Sequence, residues 1–194
     1  MNSKYLALEY NGKIEQEQIF FTYGDSAFAD DKNTCTSSHG FTVQLYSGTI
    51  DYKAIKGKTV TTSSTEAELL AISFTAKVYL RWLRLFDNIG FHLNFKPKIY
   101  CDNVQTIRIL TKEAPKLKTA LKHVNIHQSW LRQEVQNGNI DVEWISTTKM
   151  VADGFTKLLP SQKHAEFIKQ LNLTDVKDRL KSTISGNGEF PIST

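Results

Sequence analysis

Only two cysteines occur in the 194 residues, Cys35 and Cys101, and neither belongs to a CxxC pair. This excludes a disulfide framework and a cysteine zinc site, and a reducing compartment is expected. No apolar run approaches the ~20 residues of a membrane span, since the richest one, LLAISF, gives way to Lys77 within a few positions. The opening MNSKYLALEYNGK has no apolar signal core, so neither a span nor a secretory leader is expected. A strong charge of one sign is also missing. Twenty-four Lys and Arg stand against 20 Asp and Glu, a net charge of +4, which is too mild to establish a nucleic-acid partner unless the charges cluster. No internal repeat is visible. The composition does include 40% hydrophobic and 11% aromatic residues, enough for one core in a domain of roughly 100–200 residues.

Apolar and polar residues alternate in two ways along the chain. IFFTY (19–23) is a buried-strand pattern that runs into Gly24-Asp25-Ser26, and FTVQLY and TIDYKAI flank Ser47-Gly48 as a hairpin would. From Ser63 to about Gly90, apolar residues at Leu69, Ile72, Ala76, Tyr79, Leu80, Leu83 and Phe86 have helical spacing. Ser63 with Glu66, and Thr65 with Glu68, have capping-box spacing. KIYCD then reads as a strand leading into the helical NVQTIRILT. A further helix follows to Asn137-Gly138, then strand IDVEWI, and two helices separated by Pro160. Three meander strands followed by strands alternating with helices predict an α/β fold with a five-stranded mixed sheet, three strands antiparallel and two parallel, flanked by helices.

Four carboxylates stand where strands end or helices begin: Asp25, Glu68, Asp102 and Asp153. Such positions face the crevice at the carboxyl ends of strands, where open α/β sheets bind ligands. At ~100° per residue Glu68 lies ~40° from Ile72 and borders the buried stripe, whereas Glu66 lies ~200° from Glu68 and is expected to face water. Carboxylates that converge repel one another and call for cations, and hard oxygen donors suit Mg²⁺ or Mn²⁺.

The strings YGDSAFADD, SSTEAELLA, IYCDN, LKHVNIHQSWLRQEV and VEWISTTKMVADGFTKLL, in this order over residues 19–160, resemble the ribonuclease H domain of copia-type LTR retrotransposon Pol polyproteins. The resemblance implies a ribonuclease H-like fold, with Asp25, Glu68, Asp102 and Asp153 as the metal-binding catalytic set. It implies hydrolysis of the RNA strand of an RNA–DNA hybrid by two Mg²⁺ ions, with Mn²⁺ able to substitute, leaving 5′-phosphate and 3′-hydroxyl ends. Ser63, Ser64, Thr65 and Asn103 resemble its minor-groove contacts, where shape and 2′-hydroxyls are read. It further implies a reverse transcriptase in the same polyprotein as partner, a cytoplasmic location in virus-like particles, and no membrane. KYLALEY resembles the end of a tether from that polymerase, so this chain is expected to be a fragment of a polyprotein. The expected division is a lead-in at 1–18, the domain at 19–172 and a largely disordered tail at 173–194.

The chain departs from enzymes of this fold in one respect: WISTTKMVA has no histidine before the last aspartate, and Lys149 is the cation to hand there. His123 and His127 have the i, i+4 spacing of a zinc pair but no third ligand nearby, and His39 reads as a surface or loop residue. Between Arg108 and Arg132 six basic residues accompany one acid, which makes Lys116, Lys118 and Lys122 candidate phosphate contacts. Two other readings fit the same residues: a catalytically weak hybrid-binding scaffold beside a polymerase, or another nuclease of this fold. Oligomeric state is not legible.

Overall fold

The computed structural model describes residues 3–10, 19–93 and 98–180. Its main sheet has the order β4-β3-β2-β5-β6, with β2 at Phe20–Ala27, β3 at Ser38–Leu45, β4 at Gly48–Lys56, β5 at Lys98–Cys101 and β6 at Asp141–Trp144. The β2–β3 and β3–β4 pairs are antiparallel, and β2–β5 and β5–β6 are parallel. This is the five-stranded mixed sheet that the sequence predicts. Central β2 is buried along almost its whole length, which explains why IFFTY shows no clean alternation.

Helices cover both faces of the sheet. On one lie α1 (Ser64–Asn88), α2 (Val104–Leu110) and α3 (Lys122–Gln136). There Leu69, Ile72, Tyr79 and Phe86 of α1 pack with Phe20, Phe41, Ile99, Leu110 and Leu131 in the larger core. The helix sits so close that a Cβ on Gly24 would lie 2.5 Å from Thr75 Oγ1, so only glycine fits at that point of β2. The other face carries α4 (Asp153–Thr156) and α5 (Ser161–Gln170), over a smaller core of Tyr23, Met150, Val151, Ala152 and Leu171.

Two short strands extend this layer. β1 (Leu6–Leu8), in the expected lead-in, pairs antiparallel with β7 (Leu173–Asp175), which the sequence had assigned to the tail. Glu9 secures the pair, accepting from Thr174 Oγ1 and from Arg179. Three-residue strands carry too little pattern to be read, because their partner is 165 or more positions away in sequence for every register pair. The remainder of the predicted tail, 181–194, and residues 11–18 of the lead-in lie outside the described residues.

Glu66 corrects another expectation. It is only 2% exposed. Ser63 caps α1 by accepting from the Glu66 backbone at 3.2 Å, while Glu66 Oε2 accepts from the Thr62 backbone at 2.6 Å and from Thr62 Oγ1 at 2.9 Å. Thr119, from the segment between α2 and α3, donates to it as well. A helical wheel cannot anticipate a loop that folds over the helix start. Burial alone would raise the Glu66 pKa, but these hydrogen bonds outweigh it and hold the carboxyl below its usual value. Glu66→Ala is therefore expected to lower stability by about 1–3 kcal/mol at neutral pH. Because a depressed folded-state pKa adds stability that is lost as pH falls through it, the difference should vanish in acid. Urea denaturation at pH 7 and below pH 4 checks both points.

Candidate metal centre

Three elements bring their carboxylates to one place. β2 and β5 run parallel in the register Tyr23↔Tyr100, so Asp25 and Asp102, each two residues further on, emerge side by side at the carboxyl ends of neighbouring strands. Glu68, in the second turn of α1, reaches them from the helix layer, as its proximity to the Ile72 stripe predicts. Asp25, Glu68 and Asp102 each offer an oxygen, and these lie within 4.8 Å of one another. Oxygens bound at ~2.1 Å around one Mg²⁺ sit about 3–4 Å apart, so the widest separation in the cluster needs to shrink by at most about 1–2 Å to hold an ion. Among the described residues no other group of acids, histidines and cysteines has this arrangement.

The electrostatics of the cluster fit a cation. Asp25 is 1% exposed and Glu68 6%. Burial pushes both carboxyls above their usual range, and Asp25 and Asp102 push Glu68 further. Glu68 Oε2 is buried without a hydrogen-bond partner, a costly arrangement for a carboxylate unless something charged completes it. The residues present thus suit a hard divalent ion.

Asp153 stands slightly apart. It opens α4, and its link to the cluster runs through Lys157, whose Nζ is 2.5 Å from Asp153 Oδ1 and 3.5 Å from Asp25 Oδ2. Burial would lower the Lys157 pKa, yet Asp25 and Asp153 more than compensate and keep the ammonium firmly charged. Two hydroxyls complete the frame. Thr156 donates to Asp25 Oδ2, and Thr147 donates to Asp102 Oδ2 at 2.9 Å. The sequence alone assigns no role to Lys157, Thr156 or Thr147, although the first two belong to the ADxxTK string that carries the resemblance. The signal for Lys157 was its i, i+4 spacing from Asp153.

The loop that lacks a histidine supplies Thr147, while Lys149 lies elsewhere, along the cleft formed by Phe21, Tyr23, Tyr100 and Gln170. Ser63 and Asn103 cap α1 and α2, each accepting from a backbone N–H through its side-chain oxygen. Ser64 and Thr65 follow Ser63 in the first turn of α1. Lys118 and Lys122 are exposed around the start of α3, and Lys116, also exposed, donates to Ser129 at 2.9 Å. His123 and His127 do not converge on an ion. Their ring nitrogens meet Thr59 Oγ1 at 3.1 Å and Ser73 Oγ at 2.7 Å, tying α3 to the segment before α1 and to α1 itself. His39 is not on the surface but buried in β3, opposite Ser26.

No family model matches the chain. It is 32% identical over 155 residues to the retrovirus-related Pol polyprotein from transposon RE1 of Arabidopsis thaliana. It is 30% identical over 155 residues to that from transposon TNT 1-94 of Nicotiana tabacum. These matches cover 79% and 80% of this chain but only 10% and 11% of the relatives, so the chain spans about a tenth of their length. Among solved structures it is similar to LC11-RNase H1 in complex with RNA/DNA hybrid, with a TM-score of 0.51 at 16% identity over 71% of this chain and 93% of that one. The N-terminal RNase H domain of rv2228c from Mycobacterium tuberculosis gives 0.51 at 11% identity, over 78% of this chain and 94% of that one. At such identities the likeness is one of fold.

Proposed function

Because the chain belongs with the copia-type retrotransposon Pol polyproteins and has the ribonuclease H fold, we propose that it is an endoribonuclease that cuts the RNA strand of RNA–DNA hybrids by a two-metal-ion mechanism. The observation that carries this reading is the convergence of Asp25, Glu68 and Asp102 around an unpartnered buried carboxylate oxygen. Asp153 joins them as the fourth acid. These four carboxylates would hold the divalent ions, which would supply Lewis acidity for attack of water on the phosphodiester and for departure of the 3′ oxygen.

The chain's own groups hold and aim this site. Thr156 and Thr147 each donate to one oxygen of a carboxylate, which fixes its plane. At the start of the helix that carries Glu68, the Ser63 hydroxyl can still donate while it accepts from the helix. The Asn103 amide keeps its two N–H donors while its oxygen caps α2. Together with Ser64 and Thr65 they offer the small polar groups that minor-groove and 2′-hydroxyl recognition requires. In the cell the reading places the protein with the reverse transcriptase of the same polyprotein, in cytoplasmic virus-like particles.

The chemistry is tested by the ends it leaves. RNA cut within a hybrid in Mg²⁺ should carry 3′-hydroxyls that a polymerase extends, whereas 2′,3′-cyclic phosphates would contradict a metal-assisted water attack.

Substrate grip is assigned to Lys116, Lys118 and Lys122. Replacing all three with Ala should weaken hybrid binding and reduce the slope of log K against log salt by roughly 0.7–0.9 per lost phosphate contact. Saturated turnover should hold, because these side chains contribute binding that is equal in ground and transition states. An unchanged salt slope in the triple variant would remove this phosphate track.

A further inference from the structure

Between Asp25 and Asp153 the chain itself supplies a cation. Lys157 closes α4 one turn after Asp153. Its ammonium lies 2.5 Å from Asp153 Oδ1 and 3.5 Å from Asp25 Oδ2, so one positive charge bridges two of the four carboxylates. A first ion among Asp25, Glu68 and Asp102 needs no movement of this side chain. A second ion shared by Asp25 and Asp153 requires the ammonium to leave, since both would compete for the same oxygens. The lysine can leave: its side chain is 40% exposed and flexible, while Asp25 is locked by Thr156.

Resting on the two-metal reading above, we propose that Lys157 is a positioning residue that holds Asp25 and Asp153 together in the metal-free site and is exchanged for the second metal ion. The exchange makes the two metal positions unequal. The first meets Glu68 and Asp102, which have no ion-pair partner among the described residues, with Asp25 held by the ammonium at 3.5 Å, and the second must displace the shorter ion pair to Asp153. It also gives the site a cation that can return to Asp153 when the second ion departs, a task for which the loop before α4 has no histidine. The i, i+4 placement, acid before base on one helical turn, keeps the ammonium within reach of Asp153 throughout.

Mn²⁺ titration of the full chain, without nucleic acid and followed by electron paramagnetic resonance, tests the exchange. The wild type should bind two ions of separated affinity. Lys157→Met should tighten the second on the order of tenfold and the first by less, while Lys157→Arg should keep the wild-type separation. On the wild type, the Lys157 ammonium resonance should shift at the second equivalent of Mg²⁺ and not at the first, a readout that holds even if the Met variant fails to fold. Equal second-site affinities in wild type and Lys157→Met, or an ammonium signal indifferent to the second equivalent, would overturn the exchange while sparing the metal centre. A wild type that binds no divalent ion would instead overturn the metal-centre reading beneath it.

Discussion

Asp102→Asn is expected to slow hybrid cleavage on the order of a thousandfold while leaving the fold intact. The residue sits at the carboxyl end of β5, is only partly buried, and has Thr147 Oγ1 as its hydrogen-bond partner at 2.9 Å. An asparagine has the same shape and can still accept that bond, so the substitution removes charge and little else. The charge matters because hard divalent ions bind through anionic oxygens, and a neutral amide oxygen is a much poorer donor. Asp25→Asn should match it in rate. Single-turnover rates with circular dichroism as a check on folding measure both, and a rate within threefold of wild type in either variant would move the metal centre elsewhere.

Glu68→Gln is expected to act in two opposite directions. Activity should fall as steeply as for the aspartates, yet the metal-free protein should gain about 1–3 kcal/mol of stability, because a buried carboxylate with one unpartnered oxygen becomes a neutral amide. The pH dependence has a definite sign. Burial, then Asp25 and Asp102, raise the Glu68 pKa well above its usual value, so between the unfolded value near ~4.3 and the raised one the folded state holds a proton that the unfolded chain has released. Stability in EDTA should therefore decline as pH rises through that window, less steeply in Glu68→Gln, and Mg²⁺ should restore the wild type preferentially. Denaturation in EDTA at pH 5 and pH 8 measures the slopes. A glutamine variant less stable than wild type at pH 8 would mean that Glu68 is structurally satisfied and not held ready for an ion.

The two glutamates of α1 show how far a sequence carries such a site. Helical phase alone places Glu68 at the border of the buried stripe, and that is where it stands. The same arithmetic sends Glu66 to solvent, where the fold buries it beneath Thr62 and Thr119, since a helical wheel knows only one packing face. Asp25 and Asp102 were legible because a carboxylate ending an apolar strand has few places to point except the crevice. The hydroxyls that orient them were not, because Thr147 opens a single 3-10 turn and Thr156 ends a four-residue helix, both too short for a period to be read. His39 was missed for a related reason: β3 begins at Ser38, ahead of the apolar FTV that marked it, and carries the histidine into the core. The β1–β7 pair is a purely tertiary choice between the two ends of the described chain.

The most direct test of the central claim is incubation of the full chain with end-labelled RNA presented in three forms: in an RNA–DNA hybrid, single-stranded, and alongside duplex DNA of the same sequence. With Mg²⁺, the RNA of the hybrid should be cut internally, the single-stranded RNA and the duplex DNA should survive, and EDTA should stop all cleavage until Mg²⁺ is restored. Cleavage that persists in EDTA, or single-stranded RNA cut as fast as the hybrid, would contradict the account.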